Sequence, residues 1–353
     1  MMRASRSRTI KTVKNALCAL LLVGLASPVF ADNTPIGFQN ITLPDAQNNR
    51  SLQMVVWYPA NTSDTPQLIR DDAVFHGALA VPDARPASGE HPLVVISHGN
   101  GGNWGNQVWL ASALAHKGYI VAAVNHPGTT SKDRSPEAAA QLWQRPKDLS
   151  RAIDAVLAQP QQFGTVAQQR IAAVGHSLGG WTVLEIAGAR FDPALFAKDC
   201  AAHVQLSGCI AYQKMNPDST QMAADLSDKR VTAVVSLDLG LSRGMTDASL
   251  AALPVPVLVL AAAVNGPDLP AELESADLAK RLPKASTQYL KINDATHFSF
   301  MAICKPTGEA LIEESSPGDG MICHDGQGAR PRKEIQLQVV GLISDFLAAS
   351  AGK

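Results

Sequence analysis

Ile171-Ala172-Ala173-Val174-Gly175-His176-Ser177-Leu178-Gly179-Gly180 decides how the rest of this chain is read. A short apolar run ends in Gly-x-Ser-x-Gly and gives way to a helical stretch over 178–188. Strand, sharp turn, then helix is the context that a nucleophile elbow demands. Such a turn strains the serine backbone and stands its hydroxyl at a helix N-terminus. The flanking glycines let strand and helix approach each other closely. Ser177 is therefore the candidate nucleophile.

Upstream, residues 36–43 and 51–58 read as two strands joined by the polar turn Asp45-Ala46-Gln47-Asn48-Asn49. Leu52, Met54, Val56 and Tyr58 alternate imperfectly with Gln53, Val55 and Trp57. Beyond this hairpin, continuous apolar runs alternate with helical stretches. The runs are Leu93–Ser97, Ile120–Asn125, Ile171–Gly175, Val231–Leu237, Val257–Ala263 and Tyr289–Ile292. Helices are expected over 105–117, 147–158, 178–188, 271–281 and 334–349, with Pro146 at a helix start. This pattern predicts an α/β chain with a mostly parallel sheet covered on both faces. Residues 189–230 break the alternation and read as a cap-like insertion over the sheet.

A serine hydroxyl needs a base, and in this arrangement the partners follow in the order Ser, Asp or Glu, then His. Five histidines (76, 91, 98, 116 and 126) precede the serine, and His176 adjoins it and would point away. His203 lies in the insertion and His324 in a cysteine-bounded loop. His297, in the loop Asp294-Ala295-Thr296-His297-Phe298, is the candidate base. Three acids remain open. Asp238 ends the run Val231–Leu237. Asp268 follows the next strand, but beyond Val264-Asn265-Gly266-Pro267, where it reads as a helix cap. Asp294 is close to His297 in sequence. The turn lengths favour Asp238. A developing oxyanion needs N–H donors. Leu178 supplies one, and the glycine-rich loop His98-Gly99-Asn100-Gly101-Gly102 supplies the other, from Asn100. No zinc-spaced cluster or phosphate-binding loop is present, so neither a metal nor an organic cofactor is expected.

Longer matches extend this reading. Val56-Trp57-Tyr58-Pro59, Ser97-His98-Gly99-Asn100-Gly101, Asn125-His126-Pro127-Gly128, Trp143-Gln144-Arg145-Pro146-Lys147-Asp148, the elbow, and Thr296-His297-Phe298-Ser299-Phe300 followed by Cys304 and Cys323 run nearly end to end. The chain resembles α/β-hydrolases of the bacterial group called predicted dienelactone hydrolases, related to platelet-activating-factor acetylhydrolase. The resemblance implies the triad acid Asp238 at the end of Val235-Ser236-Leu237-Asp238, and the oxyanion donors Asn100 and Leu178. True dienelactone hydrolases use a cysteine nucleophile, and Ser177 stands there instead. Arg145 and Asp148 read as structural, paired with each other or with a helix end. The expected chemistry is hydrolysis of a small-molecule ester or lipid-like substrate. An amidase or peptidase with the same residues, and a non-catalytic member of the fold, remain alternatives.

The bulk properties set the setting. The chain has 353 residues, 46% hydrophobic and 17% charged, enough for one large core. Residues 1–31 read as a signal peptide: Arg3, Arg6, Arg8, Lys11 and Lys14 without an acid, an apolar run from Ala16 to Ala26, and Val29-Phe30-Ala31 before the cut. The expected mature domain is then 32–353, periplasmic or secreted, without an integral membrane segment. Loss of those five bases takes the formal charge from −1 to −6, which does not favour nucleic acid. Cys18 leaves with the signal. Four cysteines remain in an oxidising compartment, and proximity favours Cys200–Cys209 and Cys304–Cys323 among three possible pairings.

Overall fold

The computed structural model describes residues 1–2, 34–45 and 50–351. The expected signal segment, and residues 46–49 of the first turn, lie outside the described residues. Ten strands form one sheet: β1 (Ile36–Leu43), β2 (Leu52–Pro59), β3 (Gln67–Ile69), β4 (Ala78–Pro82), β5 (Glu90–Ser97), β6 (Ile120–Asn125), β7 (Thr165–His176), β8 (Ala233–Leu237), β9 (Val257–Ala262) and β10 (Thr287–Ile292). Their order is β10-β9-β8-β7-β5-β6-β2-β1-β4-β3. From β6 through β10 every neighbouring pair is parallel, while β1, β2 and β6 run antiparallel in turn.

The parallel strands read as unbroken apolar runs because both faces are covered. On one face Leu93, Val95, Ile171 and Ala173 pack under the helices Gln144–Ala158 and Leu178–Ala187. On the other, Val94, Ile96, Ala172 and Val174 pack under Val108–His116 and Arg332–Ser350. The same fact explains the imperfect alternation in β2. Leu52, Met54, Val56 and Tyr58 fill one layer, and Val55 and Trp57 fill the other. Each large apolar side chain buried in this way contributes roughly 2 kcal/mol.

Strand order in the sheet reverses beside β5: β6 lies on one side and β7 on the other. Crevices for ligands open at such a switch point, outside the carboxyl ends of the strands. Ser97 ends β5 and Ser177 follows β7, so both predicted loops meet there.

Several boundaries differ from expectation. The helix over 271–281 begins only at Ser275, because Pro270–Glu274 form turns. Pro146 sits at the third position of its helix, where the missing N–H has no intrahelical partner to lose. The segment 189–230 carries three helices, Pro193–Ala202, Ser207–Met215 and Ser219–Met222. Both expected disulfides are formed, Cys200–Cys209 and Cys304–Cys323. Among the described residues no helix is long and apolar enough to cross a membrane.

Candidate active site

Ser177 has φ 56° and ψ −122°, a conformation that side-chain-bearing residues seldom adopt. Its N–H donates to the Leu237 carbonyl at 2.9 Å, which ties the elbow to β8. The glycines on either side are steric requirements. A Cβ at Gly175 would fall 2.0 Å from the Gly179 carbonyl oxygen, and one at Gly179 would fall 2.0 Å from that of Ser97. The helix behind Ser177 is thus pressed directly onto the end of β5. Leu178 is the first residue of that helix, so its N–H lies among the donors that no preceding turn can satisfy.

Of the three acids, the structure brings Asp238 to His297. The His297 Nδ1–H donates to Asp238 Oδ2 at 2.7 Å. Asp238 is 1% exposed and has φ 46°, so a second strained residue follows a neighbouring strand. Its Oδ1 accepts from the Ala262 N–H at 2.9 Å. Asn265, to which the sequence assigned no role, joins the pair: its Nδ2 donates to Asp238 Oδ2 and its Oδ1 accepts from the His297 backbone N–H, both at 2.9 Å. Asp268 lies in the turn after β9 and lines a cavity, with its carbonyl accepting from the Ser207 N–H. It caps no helix, contrary to the sequence reading. Asp294 faces outward and is held by Arg330 through two bonds of 2.8 Å. No hydrogen bond joins Ser177 to His297 among the described residues, although both line the same cavities.

His176 corrects another expectation. Rather than turning away, its Nε2–H donates to the His297 carbonyl at 2.9 Å, and the two rings pack with centroids 4.5 Å apart. Burial, reinforced by the nearby His297, holds His176 well below the ordinary histidine range, so it is a neutral wall for its neighbour.

The loop after β5 is built on glycine. Gly101 has φ 71°, its N–H donates to the Thr129 carbonyl at 2.8 Å, and the Gly102 N–H donates to that of Gly99. The N–H of Asn100 between them has no partner among the described residues. Beneath this loop lies a buried polar network that sequence reasoning misplaced. Arg145 and Asp148 do not pair with each other. Asp148 takes two bonds from Arg50, at 3.1 and 2.7 Å, and accepts from His126 Nδ1 at 3.0 Å. Arg145 donates instead to Thr182, Thr129, Ser97 Oγ and the His98 carbonyl. Burial pulls the Arg145 guanidinium down to about 9, which still leaves it charged at neutral pH.

Two cavities meet at Ser177 and His297. The first, about 430 Å³, is walled by Leu178, Leu241, Val264, Leu269 and Phe298, with Asn100 at its edge. The second, about 690 Å³, is more polar and reaches Arg70, Arg134 and Lys214. The disulfide-bonded segments supply much of both walls, Gly208 and Ala211 from one and Met321 and Ile322 from the other. Among the described residues no group of three or more His, Cys, Asp or Glu side chains is placed to hold a metal ion.

Comparison with known proteins agrees with this architecture. The family model described as alpha/beta hydrolase fold matches residues 92–198, from β5 through the elbow into the insertion. Among solved structures, a ferulic acid esterase from Streptomyces cinnamoneus superposes with a TM-score of 0.63 at 22% identity, over 91% of each chain. No curated protein matches the chain. The chain therefore has the α/β-hydrolase fold: a mostly parallel sheet with helices on both faces and the elbow serine at the switch point.

Proposed function

We propose that this protein is a secreted serine esterase that cleaves carboxylic esters through an acyl-enzyme. The observation that carries the reading is the 2.7 Å bond between His297 and buried Asp238, beside a serine strained onto an elbow at the mouth of an apolar cavity. Ser177 Oγ attacks the ester carbonyl while His297 Nε2 takes its proton. Asp238 fixes the proton on Nδ1, leaves Nε2 free to accept, and stabilises the imidazolium. The Asn100 and Leu178 N–H groups hold the oxyanion. His297 returns the proton to the leaving alkoxide, and the alcohol departs. Water, deprotonated by His297, then attacks the acyl-enzyme and releases the acid.

The likeness to a ferulic acid esterase supports an ester as substrate, and the apolar cavity suits an acyl or aromatic half of modest size. Relationship to the predicted dienelactone hydrolase and acetylhydrolase group is the finer form of this reading. Two formed disulfides favour an oxidising compartment, in line with a signal peptide over residues 1–31 and a mature domain over 32–353. Residues 189–230 serve as the cap.

A fluorophosphonate probe tests the nucleophile: wild type is expected to label and Ser177→Ala to lose the label. Unlabelled wild type refutes the reading and returns the chain to the non-catalytic alternative. A panel of p-nitrophenyl esters of increasing acyl length, with methyl ferulate, maps the cavity. A matched p-nitroanilide separates ester from amide cleavage.

A further inference from the structure

Ser97, His126 and Asp148 form a second Ser-His-Asp relay, sealed in the core beneath the first. Ser97 Oγ lies 2.9 Å from His126 Nε2, and His126 Nδ1 lies 3.0 Å from Asp148 Oδ2. All three are at most 1% exposed, so this relay meets no substrate. Its hydrogen positions follow from its partners. Asp148, paired with Arg50, accepts from His126 Nδ1–H, which leaves Nε2 as an acceptor. Ser97 Oγ accepts from Arg145 Nη2 at 3.1 Å and so must turn its own proton to His126. With Ser97 held as an acceptor, the Arg145 fork has one orientation.

That orientation joins the two places where the oxyanion donors arise. Arg145 Nη2 also donates to the His98 carbonyl, two residues before Asn100. Arg145 Nε donates at 3.0 Å to Thr182 Oγ1, whose own proton goes to the Leu178 carbonyl at 3.0 Å. One rigid guanidinium thus spans the loop of Asn100 and the first turn of the helix that begins at Leu178. Its Nη1 anchors the fork to Thr129, in the loop whose backbone carbonyl holds Gly101. Five donors in a planar fork can do this, whereas a lysine ammonium cannot reach the same set.

We infer that Arg145, oriented by the Ser97–His126–Asp148 relay, is a positioning residue that sets the spacing between the Asn100 and Leu178 N–H groups. This rests on the proposed roles of Ser177 and of those two donors. The relay acts only through Arg145.

The experiment compares hydrolysis of an ester with its thionoester, whose sulfur is a poorer acceptor for oxyanion donors. Wild type is expected to favour the oxygen ester strongly. In Arg145→Lys, kcat should fall about 100-fold, as for a misplacement of about 1 Å, with KM changed less than about threefold. The preference over the thionoester should shrink by about tenfold or more. Ser97→Ala, a milder change, should move both readouts in the same direction by about a third as much on a logarithmic scale, and it decides the matter if Arg145→Lys does not fold. Phe163→Leu, in the core against Tyr58, is the control for lost stability alone and should leave the thionoester ratio unchanged. The inference is overturned if folded Arg145→Lys and Ser97→Ala keep the wild-type ratio, or if Phe163→Leu changes it as much. Should wild type hydrolyse no ester and take no fluorophosphonate label, the proposed function itself fails, a result distinct from either.

Discussion

Replacing Asp238 by asparagine is the sharpest test of the site, because three donors converge on that one carboxylate. Ala262 N–H approaches Oδ1, and His297 Nδ1 and Asn265 Nδ2 approach Oδ2. An amide offers a single acceptor. Ala262 N–H is fixed in β9 and cannot turn, so the amide oxygen stays opposite it. The new NH₂ group then faces His297, which relieves the clash by carrying its proton on Nε2. That tautomer cannot accept a proton from Ser177, and the charge that steadied the imidazolium is gone as well. Both losses act on the transition state, so the expected fall in kcat is about 10⁴-fold, or roughly 5.5 kcal/mol. The fold should survive, since the substitution is isosteric. The assay is steady-state hydrolysis of a p-nitrophenyl ester, run beside Asp268→Asn and Asp294→Asn, both expected within about threefold of wild type. Retention of more than a tenth of the activity by Asp238→Asn, or a larger loss in Asp268→Asn, would refute the reasoning.

Other outcomes follow from the same geometry. Gly179→Ala places a methyl group 2.0 Å from a backbone oxygen of β5, and should cost more than about 3 kcal/mol, read as insolubility or a collapsed thermal transition. Opening either disulfide, Cys200–Cys209 or Cys304–Cys323, releases loops with sequence separations of 9 and 19 and should cost about 3 kcal/mol each, measured by chemical denaturation of the Cys→Ala pairs. Glu274 is buried, and that burial raises its carboxyl to about 7 despite bonds from the Ser242 N–H and hydroxyl. The folded state therefore holds this proton more tightly than the unfolded chain, whose value is 4.5. Its contribution is fully favourable below about 4.5 and declines as pH rises to about 7, by roughly 3 kcal/mol in all. Glu274→Gln should flatten the stability profile between pH 5 and 7, and an unchanged slope would assign that dependence to other groups.

What the sequence disclosed and what it hid have physical reasons. Buried parallel strands announce themselves as apolar runs, so six of the seven strands from β2 and β5 to β10 could be placed to within a few residues, with β7 extending further upstream. By contrast, β3 at the sheet edge and β4 beside it are short, with several exposed or half-exposed residues, and carry little periodic signal. The glycine-rich turns flagged Ser177 and Asn100 because their steric demands are local. The network around Arg145 was illegible for the opposite reason. Arg50 and Asp148, or Arg145 and Ser97, lie 98 and 48 residues apart, and only the finished sheet makes them neighbours. Proximity in sequence suggested pairing Arg145 with Asp148, whereas three residues along a helix gave each a separate partner. Asn265, an amide bridging acid and base, could not be read from position alone.

On the proposed mechanism, an acid at the end of β8 has a consequence for the turn that follows β9. In a hydrolase whose acid sits on that later turn, the turn is locked by the chemistry. Here Asn265 of that turn hydrogen-bonds to the Asp238–His297 pair, and Val264, Gly266 and Leu269 face the cavity beside it. Under the proposed mechanism, labour is divided: Asp238, with Asn265 bridging it to His297, fixes the proton, while Val264, Gly266 and Leu269 meet the substrate. A lineage, or a protein engineer, could recut the preference of the proposed esterase at Val264, Gly266 and Leu269 and leave Asn265 and the Asp238–His297 pair untouched.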